Sequence, residues 1–79
     1  MIQLQFTKKK PEIPGIYLMF TSTHILMLAK VWDNNNGLWY YATAHTTPRP
    51  ISTINNDVLC VGPFQCTNEL NQPLNIMEP

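Results

Sequence analysis

The chain has 79 residues, with five lysines and arginines against five aspartates and glutamates, no net charge at neutral pH and only 13% charged side chains. A chain this short holds one core, which rarely supplies more than about 3–5 kcal/mol. The charge balance argues against highly charged disorder and against the basic face of a dedicated duplex-DNA binder. No stretch approaches the ~18 consecutive apolar residues of a membrane span. Residues 1–6 lack the apolar run of a secretory signal, so an uncleaved, soluble, cytoplasmic protein is expected.

Residues 2–6 alternate, with Ile2, Leu4 and Phe6 on one side and Gln3 and Gln5 on the other, the period of a half-buried strand. Thr7 and the run Lys8, Lys9 and Lys10 then lead into Pro11, Pro14 and Gly15, which read as a connection. Two apolar stretches follow, residues 15–21 and 24–32, and the Ser22-Thr23 step between them predicts a hairpin. Ser-Thr is a poor primed turn, so the loop holds either those two residues or four, from Thr21 to His24. Asn36-Gly37 is the strongest short hairpin signal in the chain, and it leads into a further strand at about residues 38–44.

Even loops put directly opposed residues on the same side of the sheet. On that basis Ile16, Leu18, Phe20, Ile25, Met27, Ala29, Val31, Tyr40 and Ala42 form the core face. Tyr17, Met19, Leu26, Leu28, Lys30, Trp32, Trp39 and Tyr41 form the other, and a slip of one residue in a loop would exchange the faces of one strand. Residues 45–50, with Pro48 and Pro50 around Arg49, are read as the longest irregular segment, pinned by Ile51 and Ile54. Asn55-Asn56-Asp57 supplies a turn into a last strand, residues 58–61, stopped by Gly62 and Pro63.

The expected fold is therefore all-β. It is a five-stranded antiparallel meander or a small, partly open SH3-like barrel, with a twisted sheet that dimerises through one face as the rival. Residues 1–64 form the single domain. Residues 65–79 form a tail that is poorly ordered or holds a short helical turn at residues 67–70.

Chemistry-bearing clusters are sparse. His24 and His45 have no carboxylate close in sequence. Pairing either with Cys60 as a nucleophile needs the fold to bring them together. Cys60 and Cys66 are separated by five residues, which is not a zinc-knuckle spacing, and free thiols are expected. No metal, no cofactor and no catalysis are expected.

The informative residues are the aromatics of the second face, Tyr17, Trp32, Trp39 and Tyr41, because exposed Trp and Tyr anchor interfaces or stack nucleobases. Arg49, stiffened by flanking prolines, suits bidentate binding of a carboxylate or phosphate. Together with Lys8, Lys9 and Lys10 it is a candidate anion-binding group. Apolar side chains on both faces of the hairpins also predict a homo-oligomer.

The segments Pro14-Gly15-Ile16-Tyr17, Gly37-Leu38-Trp39-Tyr40-Tyr41 and Val61-Gly62-Pro63 resemble small uncharacterised phage and prophage accessory proteins. Those share a PGxY opening, a Trp-containing central hairpin and a terminal GP. The resemblance spans roughly residues 11–64 and departs at the Thr- and Pro-rich residues 46–53. It implies binding of a host factor, including components of bacterial immunity, or sequestration of a nucleotide signal.

The expected function is thus a non-enzymatic phage-type interaction protein that binds and blocks a host protein or assembles with itself, in the host cytoplasm. The alternatives are a nucleotide-sequestering module, with a base on Trp39 or Tyr41 and phosphates on Arg49 or residues 8–10, and a structural phage protein.

Overall fold

A computed structural model describes residues 2–35, 37–43 and 47–74. The fold is all-β, with strands β1 (Gly15–Phe20), β2 (Leu26–Asn34), β3 (Gly37–Ala42), β4 (Arg49–Pro50) and β5 (Leu59–Phe64), and a 3-10 turn at Ile51–Thr53. They form one open antiparallel sheet in the order β4-β3-β2-β1-β5. β1 to β4 make a meander, and β5 returns across it to lie on the far side of β1.

The strand roster differs from expectation at three places. Residues 2–6 form no strand; only Thr7 joins the sheet, its N–H donating to Cys60 O at 3.0 Å and its carbonyl accepting from Cys60 N–H at 2.7 Å. Continuing that antiparallel ladder backwards would set Phe6, Gln5 and Leu4 against Val61, Gly62 and Pro63. Pro63 has no N–H to offer, and the β1–β5 register shifts by one residue between Ile16 and Leu18. β5 therefore does not stop at Gly62 and Pro63 but bulges there and runs on to Phe64. Conversely, Arg49 and Pro50, expected to be irregular, pair with Tyr40 and Trp39.

The most consequential difference is the parity of the first hairpin. Phe20 pairs with Leu26, and beyond them the Thr21 N–H still donates to Ile25 O at 3.0 Å. Three residues, Ser22, Thr23 and His24, are left to turn the chain. His24 takes a left-handed φ of 66°, the third-residue conformation of a three-residue hairpin loop. Thr21 Oγ1 braces the loop by accepting the Ile25 N–H at 3.1 Å.

An odd loop exchanges the faces of β1. Tyr17 and Met19 lie opposite Ala29 and Met27 in the core, while Ile16, Leu18 and Phe20 lie opposite Lys30, Leu28 and Leu26 on the other side. The expected placement of Ile16, Leu18 and Phe20 in the core is corrected accordingly, and Ile25, at 50% exposure, is not a core residue either. The second hairpin has the expected even parity, since Asn34 pairs with Gly37 and Trp32 with Trp39. Its Asn36, like Ala44, His45, Thr46 and residues 75–79, lies outside the described residues.

The core comprises Tyr17, Met19, Met27, Ala29, Val31, Tyr40, Ala42, Ile54, Val58 and Cys60. One sheet face supplies most of it. The segment 51–58 covers that face, with Ile51 packed at its margin. This cover is held by the Ile54 N–H to Ile51 O bond and the Val58 N–H to Asn55 O bond. From the other edge the Lys10 ammonium donates to Ile54 O. Gly62 allows β5 to press against β1: with φ +146° and an added Cβ only 2.8 Å from both Ile16 O and Tyr17 Cδ2, the position admits no side chain without movement.

The expected helical turn at residues 67–70 is instead a turn organised by Asn68, whose Oδ1 accepts the N–H groups of Leu70 and Gln72 at 2.9 and 3.0 Å. An Asn carbonyl that captures nearby backbone N–H groups competes with helix formation. A bridge between Thr67 and Pro73 closes this turn.

Candidate interaction face

The sheet face turned away from the core is built by the registers of four strands. Ile16, Leu18 and Phe20 of β1 stand beside Lys30, Leu28 and Leu26 of β2. Trp32 and Lys30 stand beside Trp39 and Tyr41 of β3, and on the other flank Val61 and Leu59 of β5 face Leu18 and Phe20. Most are half-buried by one another, Leu26 is 58% exposed, and Phe64 is exposed at the corner.

Phe6 extends this face past β5, its ring 6.2 Å from that of Phe20. His24 closes the hairpin end with an edge-on contact to Phe20 at 5.7 Å. A solvated sheet face carries polar side chains in alternation with the core, whereas this one is aliphatic and aromatic over four strands. Lys30 is the one charged residue among its strand positions, and its nearest neighbours there are Leu28 and Trp32 along β2 and Ile16 and Tyr41 across it.

Of the interaction residues expected from the sequence, Trp32, Trp39 and Tyr41 lie together on this face. Tyr17 does not. It is 4% exposed in the core, its hydroxyl donates to Ile13 O at 2.7 Å, and burial raises its pKa above the usual tyrosine range. Its place is taken by Ile16, Leu18 and Phe20, with Leu59 and Val61 added from β5. Those residues escaped the sequence reading because β1 is apolar at every position after Gly15, so no periodicity marks its outer side.

Arg49 pairs with Tyr40 and so shares the core side of the sheet, opposite to Trp39 and Tyr41. It lines a cleft of about 340 Å³ between the first hairpin loop and the segment 53–58, floored by Met19, Met27, Ile54 and Val58. The lysine run is divided. Lys8 is exposed, Lys9 makes an exposed ion pair with Glu12 at 3.7 Å, and Lys10 is bound to Ile54 O. Lys9 and Lys10 line a separate, smaller pocket of about 220 Å³ with Thr7 and Cys60. Neither of these two pockets gathers Arg49 with the lysines, which lie apart from it among the described residues.

Cys60 and Cys66 are free thiols. Burial pushes the Cys60 thiol pKa upwards against the opposing pull of Lys10, the reverse of what an activated nucleophile needs. Among the described residues no group of three or more His, Cys, Asp and Glu side chains is arranged to hold a metal ion, and no helix is long and apolar enough to cross a membrane. His45 lies outside those residues.

No family model, no curated protein and no solved structure matches this chain.

Proposed function

We propose that the protein is a non-enzymatic binding module whose outer sheet face docks on a protein partner. In the setting implied by the phage resemblance, that partner is a host factor. The observation that carries the reading is a continuous aliphatic and aromatic face over β1, β2, β3 and β5 with Lys30 at its centre. Trp32, Trp39 and Tyr41 have the side-chain types that dominate binding energy at interfaces.

Lys30 sets the chemistry of the partner. An ammonium enclosed in an apolar contact is costly unless a carboxylate meets it, so the matching surface is apolar with one Asp or Glu opposite Lys30. A second copy stacked face to face would bring two Lys30 ammonium groups towards one another with no acidic strand residue between them. The charge pattern therefore favours a different protein over self-stacking.

The nucleotide reading draws less support, because the phosphate-binding candidate Arg49 and the stacking candidates Trp39 and Tyr41 are on opposite sides of the sheet.

Affinity capture from bacterial lysate with the wild type, Trp39→Ser and Lys30→Glu tests the proposal. A partner captured by the wild type, lost with both variants, and recovered by Lys30→Glu when one of its own carboxylates is changed to Lys is the expected result. A partner that binds all three proteins equally would overturn it, as would a stable wild-type dimer broken by Trp39→Ser in sedimentation.

A further inference from the structure

Independently of the docking face, we infer that the cleft on the core side of the sheet is a binding site for a small aliphatic monocarboxylate, held by Arg49 and Tyr40. The two residues are directly opposed on β4 and β3 and both line the cleft, so their side chains leave the sheet in the same direction.

Tyr40 is 6% exposed, yet its hydroxyl has no hydrogen-bond partner among the described residues. No side-chain oxygen among them is both sealed from solvent and unpaired, so this hydroxyl keeps some exposure, and Tyr40 lines the cleft. A tyrosine hydroxyl in so enclosed a setting normally has a partner. The Arg49 guanidinium likewise has no ion pair among the described residues. Three of the other hydroxyls lining the cleft are engaged: Thr21 and Thr23 bond one another at 3.0 Å, and Thr53 donates to Pro50 O at 2.6 Å. Tyr40 and Arg49 thus offer one neutral and one charged donor to the same space.

Below them the floor is apolar, with Met19 and Met27 as adaptable surfaces, and the volume of about 340 Å³ falls within the range of small-molecule sites, roughly 300–1,000 Å³. Asp57 also lines the cleft and is not paired with Arg49, since the described residues hold one ion pair, Lys9 with Glu12. The formal charge of the lining is therefore neutral. That disfavours a phosphate dianion more than a single carboxylate, which Arg49 can pair while a hydrocarbon body rests on the methionines.

The test uses the whole protein with 13C-labelled methionine methyl groups, titrated with 4-methylpentanoate, with 4-methylpentanamide and with inorganic phosphate. The carboxylate is expected to shift the Met19 and Met27 methyl signals saturably. The amide should bind about tenfold more weakly, the loss of one charge-assisted contact. Arg49→Gln should weaken the carboxylate by a similar factor with an unchanged melting temperature, and Tyr40→Phe should weaken it by a smaller one. Equal binding of carboxylate and amide, tighter binding of phosphate, full affinity in Arg49→Gln, or no methyl shift with any probe would each overturn the assignment.

Discussion

The two faces of the sheet are made from the same few strands and nearly the same residue types, yet they have different fates. The inner face, with Met19, Met27, Ala29, Val31, Tyr40 and Ala42, is sealed by the segment 51–58. The outer face, with Leu18, Phe20, Leu28, Trp32, Trp39 and Tyr41, has no comparable cover among the described residues and is shielded mainly by its own crowding. Hydrophobicity alone does not decide which side of β1 folds inward. What decides it is one loop of three residues and the left-handed conformation of His24 within it.

The sharpest way to break this comparison is to truncate matched residues on the two faces. Met19, 1% exposed, should lose about 2–5 kcal/mol on conversion to alanine through cavity formation, and Met27→Ala should behave alike. Leu18→Ala, one position away on the half-covered side, should lose less than half as much. Urea midpoints for the three variants measure the difference, and equal losses at Met19 and Leu18 would mean that both faces are buried in solution.

A smaller effect is expected where β5 presses on β1. Gly62→Ala combines a positive φ with a Cβ against the Ile16 carbonyl and the Tyr17 ring, and strain of this type costs about 1–3 kcal/mol. The chevron should show it mainly as a change in stability at unaltered m-value, and a neutral Gly62→Ala would remove the close approach from the account.

The inner face also has a pH signature. Burial raises the pKa values of both Cys60 and Tyr17, so the unfolded chain loses these protons at lower pH than the folded protein. Their contribution to stability is fully present below the unfolded thiol pKa of about 8.5. It is then lost as the pH rises through the folded value. Denaturant midpoints followed upwards from pH 7.5 should fall, and Cys60→Ala should flatten the first part of that fall. A slope unchanged by Cys60→Ala would exclude the thiol as its source.

The least effect on folding is expected at Trp39→Ser, about 1 kcal/mol or less, although it should abolish partner capture. That dissociation between stability and binding is what distinguishes a docking face from a second core. A Trp39→Ser variant as unstable as Met19→Ala would erase the distinction.

Legibility in the sequence followed the presence of a marker at each element. β2 and β3 sort onto the expected faces because Lys30 flags the outside and the loop between them is even, although Gly37 joins β3 opposite Asn34 rather than sitting at the centre of the turn. β1 has no such marker, so its facing rested on the parity of a loop whose third member, His24, takes a left-handed conformation that is uncommon outside glycine. Pro48 and Pro50 suggested irregular backbone, but a proline is tolerated on an edge strand, and Arg49 is thereby placed over the cleft instead of on a free loop.

Residues 2–6 have the pattern of a strand without a neighbouring ladder able to receive them. Legible in another sense were the separated segments Pro14 to Tyr17 and Val61 to Pro63. Gly15 lies against Pro63 and Gly62 against Tyr17, so both belong to one joint between β1 and β5. The candidate site was half visible: Trp32, Trp39 and Tyr41 came from alternation, whereas the joint setting of Arg49 and Tyr40 depends on a pairing between β3 and β4 that no local pattern announces.

The prolines at the two borders of the sheet have a further consequence for how the molecule behaves in a crowded cell. β4 is two residues long and ends in Pro50, and β5 contains Pro63. Neither border offers an uninterrupted row of amide hydrogens to a passing extended chain, and short, proline-bearing edges are a means by which β proteins avoid templated growth into fibrils. A molecule with so much exposed hydrocarbon would otherwise risk sideways polymerisation. Blocked at its borders, it leaves the broad surface of the sheet as the route for the association proposed above.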